Sequence, residues 1–245
     1  MSSKLLGNSF DIHGGGSDLI FPHHENECAQ SMCAHPNDCF ARYWVHGGML
    51  MVDGVKMSKS LGNFYTIDQV LEKAPAEALR LLFLTTHYHQ PFNFTFEGLE
   101  QAKQTLDKFY NALLKVKDVA CDGSIADERI VKALEDDLNT PLALSYFHEL
   151  VNNLNKAESD EEKAHHKGVL LKSAELMGIL YQDPEKWFKG DADDEVEKIE
   201  GLIAQRAEAK KNKDYAKADA IRNELTAMGI VLEDGAGGVT SWKKM

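Results

Sequence analysis

The sequence predicts an α/β segment, a mostly α helical bundle and a small α+β module at the C-terminal end. Three observations carry that prediction. Residues 1–65 concentrate glycine, methionine and histidine among short apolar runs. Residues 66–190 place apolar side chains at steps of three and four, with few glycines. Residues 191–245 begin acidic, turn rich in Ala and Lys, and finish in a Gly-rich hairpin. Domains are accordingly expected at 1–65, 66–190 and 191–245.

In the first region Ser9-Phe10-Asp11-Ile12-His13 alternates polar and apolar residues, the period of a short strand. Gly14-Gly15-Gly16 and Asp18 follow, and Pro22 suits the first turn of a helix reaching Ala34. Trp44-Val45-His46 reads as another strand. Residues 49–52 and 55–57 are apolar runs flanking Asp53-Gly54, a hairpin signal because both turn positions favour positive φ.

The middle region opens with Thr66 and, three residues on, Gln69. That capping-box pattern starts a helix at Ile67. Pro75 is placed at the first position of the next helix, which carries Leu79, Leu82 and Phe83. Leu99, Ala102, Leu106, Phe109, Leu113 and Val116 form one stripe of a long helix. Thr140 as cap and Pro141 launch a helix through Leu154. Leu170, Ala174, Met177 and Tyr181 mark another. Asp191 to Glu200 holds six acids and one lysine, either a linker or an acidic first turn. Asp214 caps a helix over 215–228, with Gly229 just past its end. Ile230-Val231-Leu232 and Val239-Thr240-Ser241-Trp242 then flank Gly235-Ala236-Gly237-Gly238 as a small hairpin.

The chain has 245 residues, a net charge of -12 and 27% charged residues. That charge argues against a general nucleic-acid coat or a polybasic membrane binder, while local patches leave a specific nucleic-acid partner open. No apolar run approaches the roughly 20 residues of a membrane-spanning helix. The first residues carry no secretory pattern, and four cysteines (Cys28, Cys33, Cys39, Cys121) form no disulfide scaffold. A soluble protein of the reducing cytoplasm is expected, with no membrane partner.

Three clusters bear on chemistry. His13-Gly14-Gly15-Gly16-Ser17-Asp18 lets backbone approach a ligand closely, with Asp18 able to bond a ribose hydroxyl or an amine; a tight structural turn is the competing reading. In Pro22-His23-His24-Glu25-Asn26-Glu27, His23 and Glu27 are an i,i+4 pair on one helix face, half of a zinc site. His24 and Cys28 form a rival pair, and a solvated polar first turn is the plain alternative. Lys56-Met57-Ser58-Lys59-Ser60 leaves the Asp-Gly hairpin as a loop able to clamp phosphates, with lysine as a compact point charge.

These residues resemble the cysteinyl-tRNA synthetase family. Lys56-Met57-Ser58-Lys59-Ser60 matches the KMSKS signature of class I aminoacyl-tRNA synthetases. The runs His13 to Leu19 and Phe21 to Glu27 are similar to the cysteine-specific members. Ala76-Glu77-Ala78-Leu79-Arg80 resembles their DALR-type helical domain, and Gly229 to Gly235 with Trp242 their small anticodon-binding domain. The resemblance implies part of a Rossmann-like catalytic domain at 1–65, a DALR-type bundle at 66–190 and an anticodon-binding domain at 191–245. It implies ATP-dependent activation of cysteine, with Mg2+ accompanying ATP, and transfer to tRNA(Cys). It assigns His23 and Glu27 to one zinc ion, Lys59 to the ATP phosphates with Lys56 beside it, and Asp18 to ATP. His13 and His46 are implied in the substrate pocket, Trp242 in the anticodon domain, and a monomer is expected.

The family's zinc site also uses two cysteines, and its HIGH signature stands near its N-terminus. Neither is found among these residues, and none of the four cysteines aligns with a ligand. The chain therefore reads as the C-terminal portion of such an enzyme, and is expected to be inactive alone. Two other readings stay open: a related cysteine ligase of thiol-cofactor synthesis, acting on an amino sugar, and a non-catalytic tRNA-binding fragment. Arg206, Lys210, Lys211, Lys213, Lys217 and Arg222 motivate the second.

Overall fold

The computed structural model describes residues 2–121, 123, 125–189, 193–212, 214–234 and 240–244. It forms two compact units, Met1–Phe109 with Cys121–Ile179, and Tyr110–Ala120 with Leu180–Met245.

The first unit begins with α1 (Ser2–Leu6) and β1 (Phe10–Gly16), which runs parallel to β2 (Ala41–Gly47). The glycine run thus lies inside the strand, not in a loop after it. Between the strands, Ser17–Leu19 and Ile20–His24 form two irregular turns, and regular helix α2 spans Glu25–Ala34. Pro22 does not start that helix. Phe21 is extended (φ -133, ψ 133) before a cis Phe21–Pro22 bond, consistent with the steric exclusion of helical backbone ahead of proline.

β3 (Leu50–Val52) and β4 (Val55–Lys56) make the anticipated hairpin. Asp53 (φ 50) and Gly54 (φ 77) both occupy the left-handed region. The backbone then enters a turn at Lys59–Leu61, and Thr66 and Gln69 form a reciprocal capping box on α3 (Ile67–Leu71). Pro75 sits at the cap of α4 (Ala76–Leu84), one position earlier than its sequence reading. Leu79 and Leu82 are buried, whereas Phe83 is exposed. A strand unread in the sequence, β5 (Phe92–Phe94), pairs parallel with β3. Three residues are too short to show a period, and they lie inside a helical stretch.

Helix α5 (Phe96–Lys115) buries the predicted stripe from Leu99 through Leu113, and Val116 just beyond it. Helices α6 (Glu128–Glu135), α7 (Thr140–Lys156) and α8 (Asp160–Met177) follow, α7 packing against both neighbours. The cap of α7 is Asn139, whose side chain accepts from Leu142 N, and not Thr140. Gly178 (φ 65) ends α8, so Tyr181 lies beyond the stripe and is exposed.

The second unit takes the C-terminal part of α5, then α9 (Pro184–Lys189), α10 (Asp193–Lys211) and α11 (Tyr215–Ala227). The acidic run from Asp193 is therefore helical. The Asp214 side chain accepts from Lys217 N at the start of α11, and Gly229 (φ 77) follows its end. β6 (Ile230–Asp234) and β7 (Thr240–Lys244) pair antiparallel. The run expected to turn, Gly235-Ala236-Gly237-Gly238, lies outside the described residues, as do Val239 and Lys213. Ile199, Ile221, Leu225, Ile230 and Trp242 form this unit's core. No described helix is long and apolar enough to cross a membrane.

Candidate active site

The parallel pair β1–β2 sets out the site. Partners across a strand pair share a face, and side chains alternate with period two. His13 faces Trp44 and Gly15 faces His46, so these four positions line one face. Ile12 and Tyr43 line the other.

Helix α2 and the turn before it close over the first face. His24 is only 4% exposed, and its Nδ1 lies 2.9 Å from His46 Nε2. Its ring packs edge-on to His13 at 4.8 Å between centroids. A Cβ on Gly15 would fall 2.8 Å from His24 Cε1, so glycine there is what allows the imidazole onto the strand. His13 Nε2 lies 3.0 Å from Glu27 Oε2 and donates to it in the tautomer with Nε2 protonated. The other carboxylate oxygen, Oε1, is 3.7 Å from His23 Nε2 across one helix turn. Burial pushes the His24 imidazole below its usual pKa; His13 and His46 push the same way, against Glu27.

One carboxylate is thus shared by two imidazoles. Ligand atoms of His13, His24 and Glu27 all lie within 4.8 Å of one another. Imidazole nitrogen and carboxylate oxygen are donor types that a divalent ion such as zinc accepts. The structure therefore brings together His13, His23, His46 and Glu27, with His24 at their centre. Sequence reasoning paired His24 with Cys28; instead Cys28 Sγ points to Met32 Sδ at 3.6 Å. Trp44 was missed as a site residue, and Gly15 was read only as part of a glycine run that lets backbone approach a ligand. The signal for them was the i,i+2 spacing of His13 with Gly15 and of Trp44 with His46 on two adjacent strands.

Asp18 and Lys56 are exposed and stand outside this cluster. Lys56 closes β4, and the loop after it is tied from within. Asn63 Oδ1 accepts from Ser58 N at 2.9 Å, and Asn63 Nδ2 donates to Lys56 O at 3.3 Å. Ser58 Oγ accepts from Leu61 N at 3.3 Å, and Gly62 (φ 69) ends the turn. The side chain of Lys59 lies outside the described residues. Trp242, on β7, is buried in the second unit.

Three family models match in chain order. The class I (C) tRNA synthetase catalytic domain matches residues 1–104, the DALR domain 129–182, and the cysteinyl-tRNA ligase anticodon binding domain 192–242. Ala76–Arg80, quoted for the helical domain, fall inside the first match. A cysteine–tRNA ligase of Paramagnetospirillum magneticum is 58% identical over 250 residues, covering 100% of this chain and 54% of that protein. Its namesake in Rhodospirillum rubrum is 54% identical over 248 residues, with the same 100% and 54% coverage. The chain spans about half the length of these curated relatives. The Agrobacterium radiobacter K84 agnB2 LeuRS, solved as a ternary complex with tRNA and LeuAMS, shares the fold at TM-score 0.51. It is 20% identical, over 68% of this chain and 24% of that one. With all three domain types in order and relatives of one name along the entire sequence, the chain belongs to the cysteine–tRNA ligase family.

Proposed function

We propose that this chain supplies the thiol-selecting and phosphate-handling residues of a cysteine–tRNA ligase. The observation that carries the reading is the Glu27 carboxylate held between His13 at 3.0 Å and His23 at 3.7 Å, beside the buried His24. In this reading His23 and Glu27 hold one zinc ion, with His13 and His24 within reach of it. Bound zinc supplies a site that prefers a soft thiolate to a hydroxyl, which separates cysteine from its near isostere serine.

The remaining roles belong to the chain's own groups. His13 orients the Glu27 carboxylate. His24 and His46, hydrogen-bonded at 2.9 Å, line the pocket for the amino acid. Lys59, with Lys56 beside it, faces the phosphates of Mg-ATP, where negative charge builds as the adenylate forms. Asp18 contacts the nucleotide. The anticodon-domain match at 192–242 favours tRNA(Cys), rather than an amino sugar, as acceptor, with Trp242 inside that domain. The division at 1–65, 66–190 and 191–245, a cytoplasmic monomer, and little or no cysteine activation by these 245 residues alone complete the reading.

Zinc titration of the chain against a chromophoric chelator tests it. His23→Ala and Glu27→Gln each weaken zinc binding while leaving helix content unchanged. Undiminished zinc affinity in both would remove the metal assignment.

A further inference from the structure

The loop between α4 and β5 and the corner between α6 and α7 meet at one carboxylate that plays no part in the proposed function. The Tyr88 hydroxyl donates to Asp137 Oδ1 at 2.6 Å. His89 Nε2 lies 3.1 Å from the other oxygen, Oδ2, and His87 Nε2 lies 4.0 Å from it. The three rings stack, with Tyr88 5.1 Å from His87 and 4.2 Å from His89 between centroids. A hydroxyl–carboxylate distance of 2.6 Å is that of a charge-assisted hydrogen bond. The same bond is the main reason that the Asp137 carboxyl lies below its usual pKa, with desolvation opposing and the two imidazoles helping.

The backbone at this corner is unusual. It folds back on α6, with Leu138 N–H donating to Leu134 O at 3.1 Å and Asn139 N–H to Ala133 O at 3.0 Å. Two successive residues make that return in the left-handed region, Asp137 (φ 54) and Leu138 (φ 53). Glycine is the usual residue just past a helix end in this conformation. Aspartate tolerates it better than most residues, and leucine adopts it only at a cost. Such strain persists where the surroundings over-determine it. The grip of the stacked loop on Asp137 is one such constraint.

The backbone of the same loop reaches the histidine cluster. Gly48 N–H donates to Tyr88 O at 2.6 Å, and Phe92 N–H to Met49 O at 2.9 Å. A Cβ on Gly48 would fall 2.1 Å from Gln90 O, so glycine there is what lets the loop backbone lie on the end of β2. His46, just before that end, lies 2.9 Å from His24 through its Nε2. The Trp44 ring stacks on His46, 6.0 Å between centroids and 11° between planes.

We infer that Tyr88 and Asp137 are positioning residues for the histidine cluster. Asp137 fixes the Tyr88 ring, the Tyr88 carbonyl fixes Gly48, and Gly48 sets where β2 presents His46 and Trp44. A corner of the helical bundle thereby sets one wall of the pocket. The consequence for the amino acid rests on the proposed function; the coupling itself does not.

The test follows the indole N–H resonances of the 15N-labelled chain at neutral pH, with no metal or amino acid added. The chain has three tryptophans, and Trp44→Phe identifies the resonance of interest. Tyr88→Phe removes only the hydroxyl. Asp137→Gly removes the carboxylate and accepts the positive φ without strain. Each should move the Trp44 resonance and leave those of Trp187 and Trp242, in the second unit, in place. Asp137→Asn keeps an acceptor for the hydroxyl and tolerates the left-handed region, so it should return the resonance to its wild-type position. A bond that serves stability alone would lower the unfolding midpoint and leave Trp44 where it is. A Trp44 resonance that stays in place in one of the first two variants, or moves as far in Asp137→Asn, overturns the inference. Failure of the wild-type chain to bind zinc would instead remove the proposed function and leave this result standing.

Discussion

Two parts of the first unit are built on opposite plans. The strand pair β1–β2 carries the histidine cluster and buries little: Ile12 and Tyr43 on its outer face are 65% and 66% exposed. Helices α6–α8 carry no candidate catalytic group and bury nearly every apolar position of their facing stripes. The sheet is held by its backbone ladder, with ring contacts and hydrogen bonds among polar side chains on its inner face, the helices by close-packed apolar volume. Parallel strands ordinarily have both faces covered; the outer face of β1–β2 is open in this chain, which spans about half the length of its curated relatives. The lesson is that stability and chemistry occupy separate residues, and mutations should divide the same way.

The largest effect tests the helical side. Phe147 is fully buried in α7, its ring 5.2 Å from that of Phe109. Phe147→Ala should cost about 3–5 kcal/mol in urea denaturation, from lost transfer energy and the cavity left behind. Ile12→Ala on the open sheet face should change stability by no more than about 0.5 kcal/mol. Comparable losses would show that the sheet is as closely packed as the bundle, and the contrast would fail.

The next effect tests the sheet side. Gly15→Ala places a methyl group 2.8 Å from His24 Cε1 and 3.0 Å from Leu19 Cδ1. One of these must move, at a cost of about 1–3 kcal/mol for overpacking. The consequence should fall mainly on the cluster: zinc affinity drops while the bundle's unfolding midpoint stays in place. A variant with wild-type zinc titration would show that His24 does not depend on the missing Cβ.

The same division governs how much could be read in advance. The helical stripe from Leu99 to Val116 repeats often enough to fix a face, and the Thr66–Gln69 box and the Asp53-Gly54 turn are local chemistry within four residues. All of these were legible. β5 was not, because a three-residue strand is defined by its partner β3 and not by its own pattern. Nor was Asn139, since Thr140-Pro141 offers an equally good cap one residue later. At the site, His23 with Glu27 followed from helix period alone. The placing of His24 and Gly15 required knowing that β1 and β2 are neighbours, a long-range pairing that no local signal in either strand announces.

The smallest effect separates charge from packing within the bundle. Asp127 caps α6: its Oδ1 accepts from Arg129 N at 2.9 Å, and its carboxylate takes two further bonds from the same guanidinium at 3.1 and 3.0 Å. The Arg129 side-chain hydrogen bonds hold this carboxyl below its usual range, overcoming partial burial, with the backbone N–H groups helping. A depressed carboxylate pKa means the unfolded chain binds the proton more tightly. Its stabilisation is therefore complete above the unfolded value, near 3.8, and is lost as pH falls through the lower folded value. Asp127→Asn keeps a capping oxygen and removes the charge, so at neutral pH it should cost only about 0.5–1 kcal/mol. That gap should close in acid, because the wild-type carboxyl is then protonated as well. A gap that persists undiminished below the folded pKa would mean that Asp127 acts through shape and not charge, and that the bundle draws its stability from packing alone.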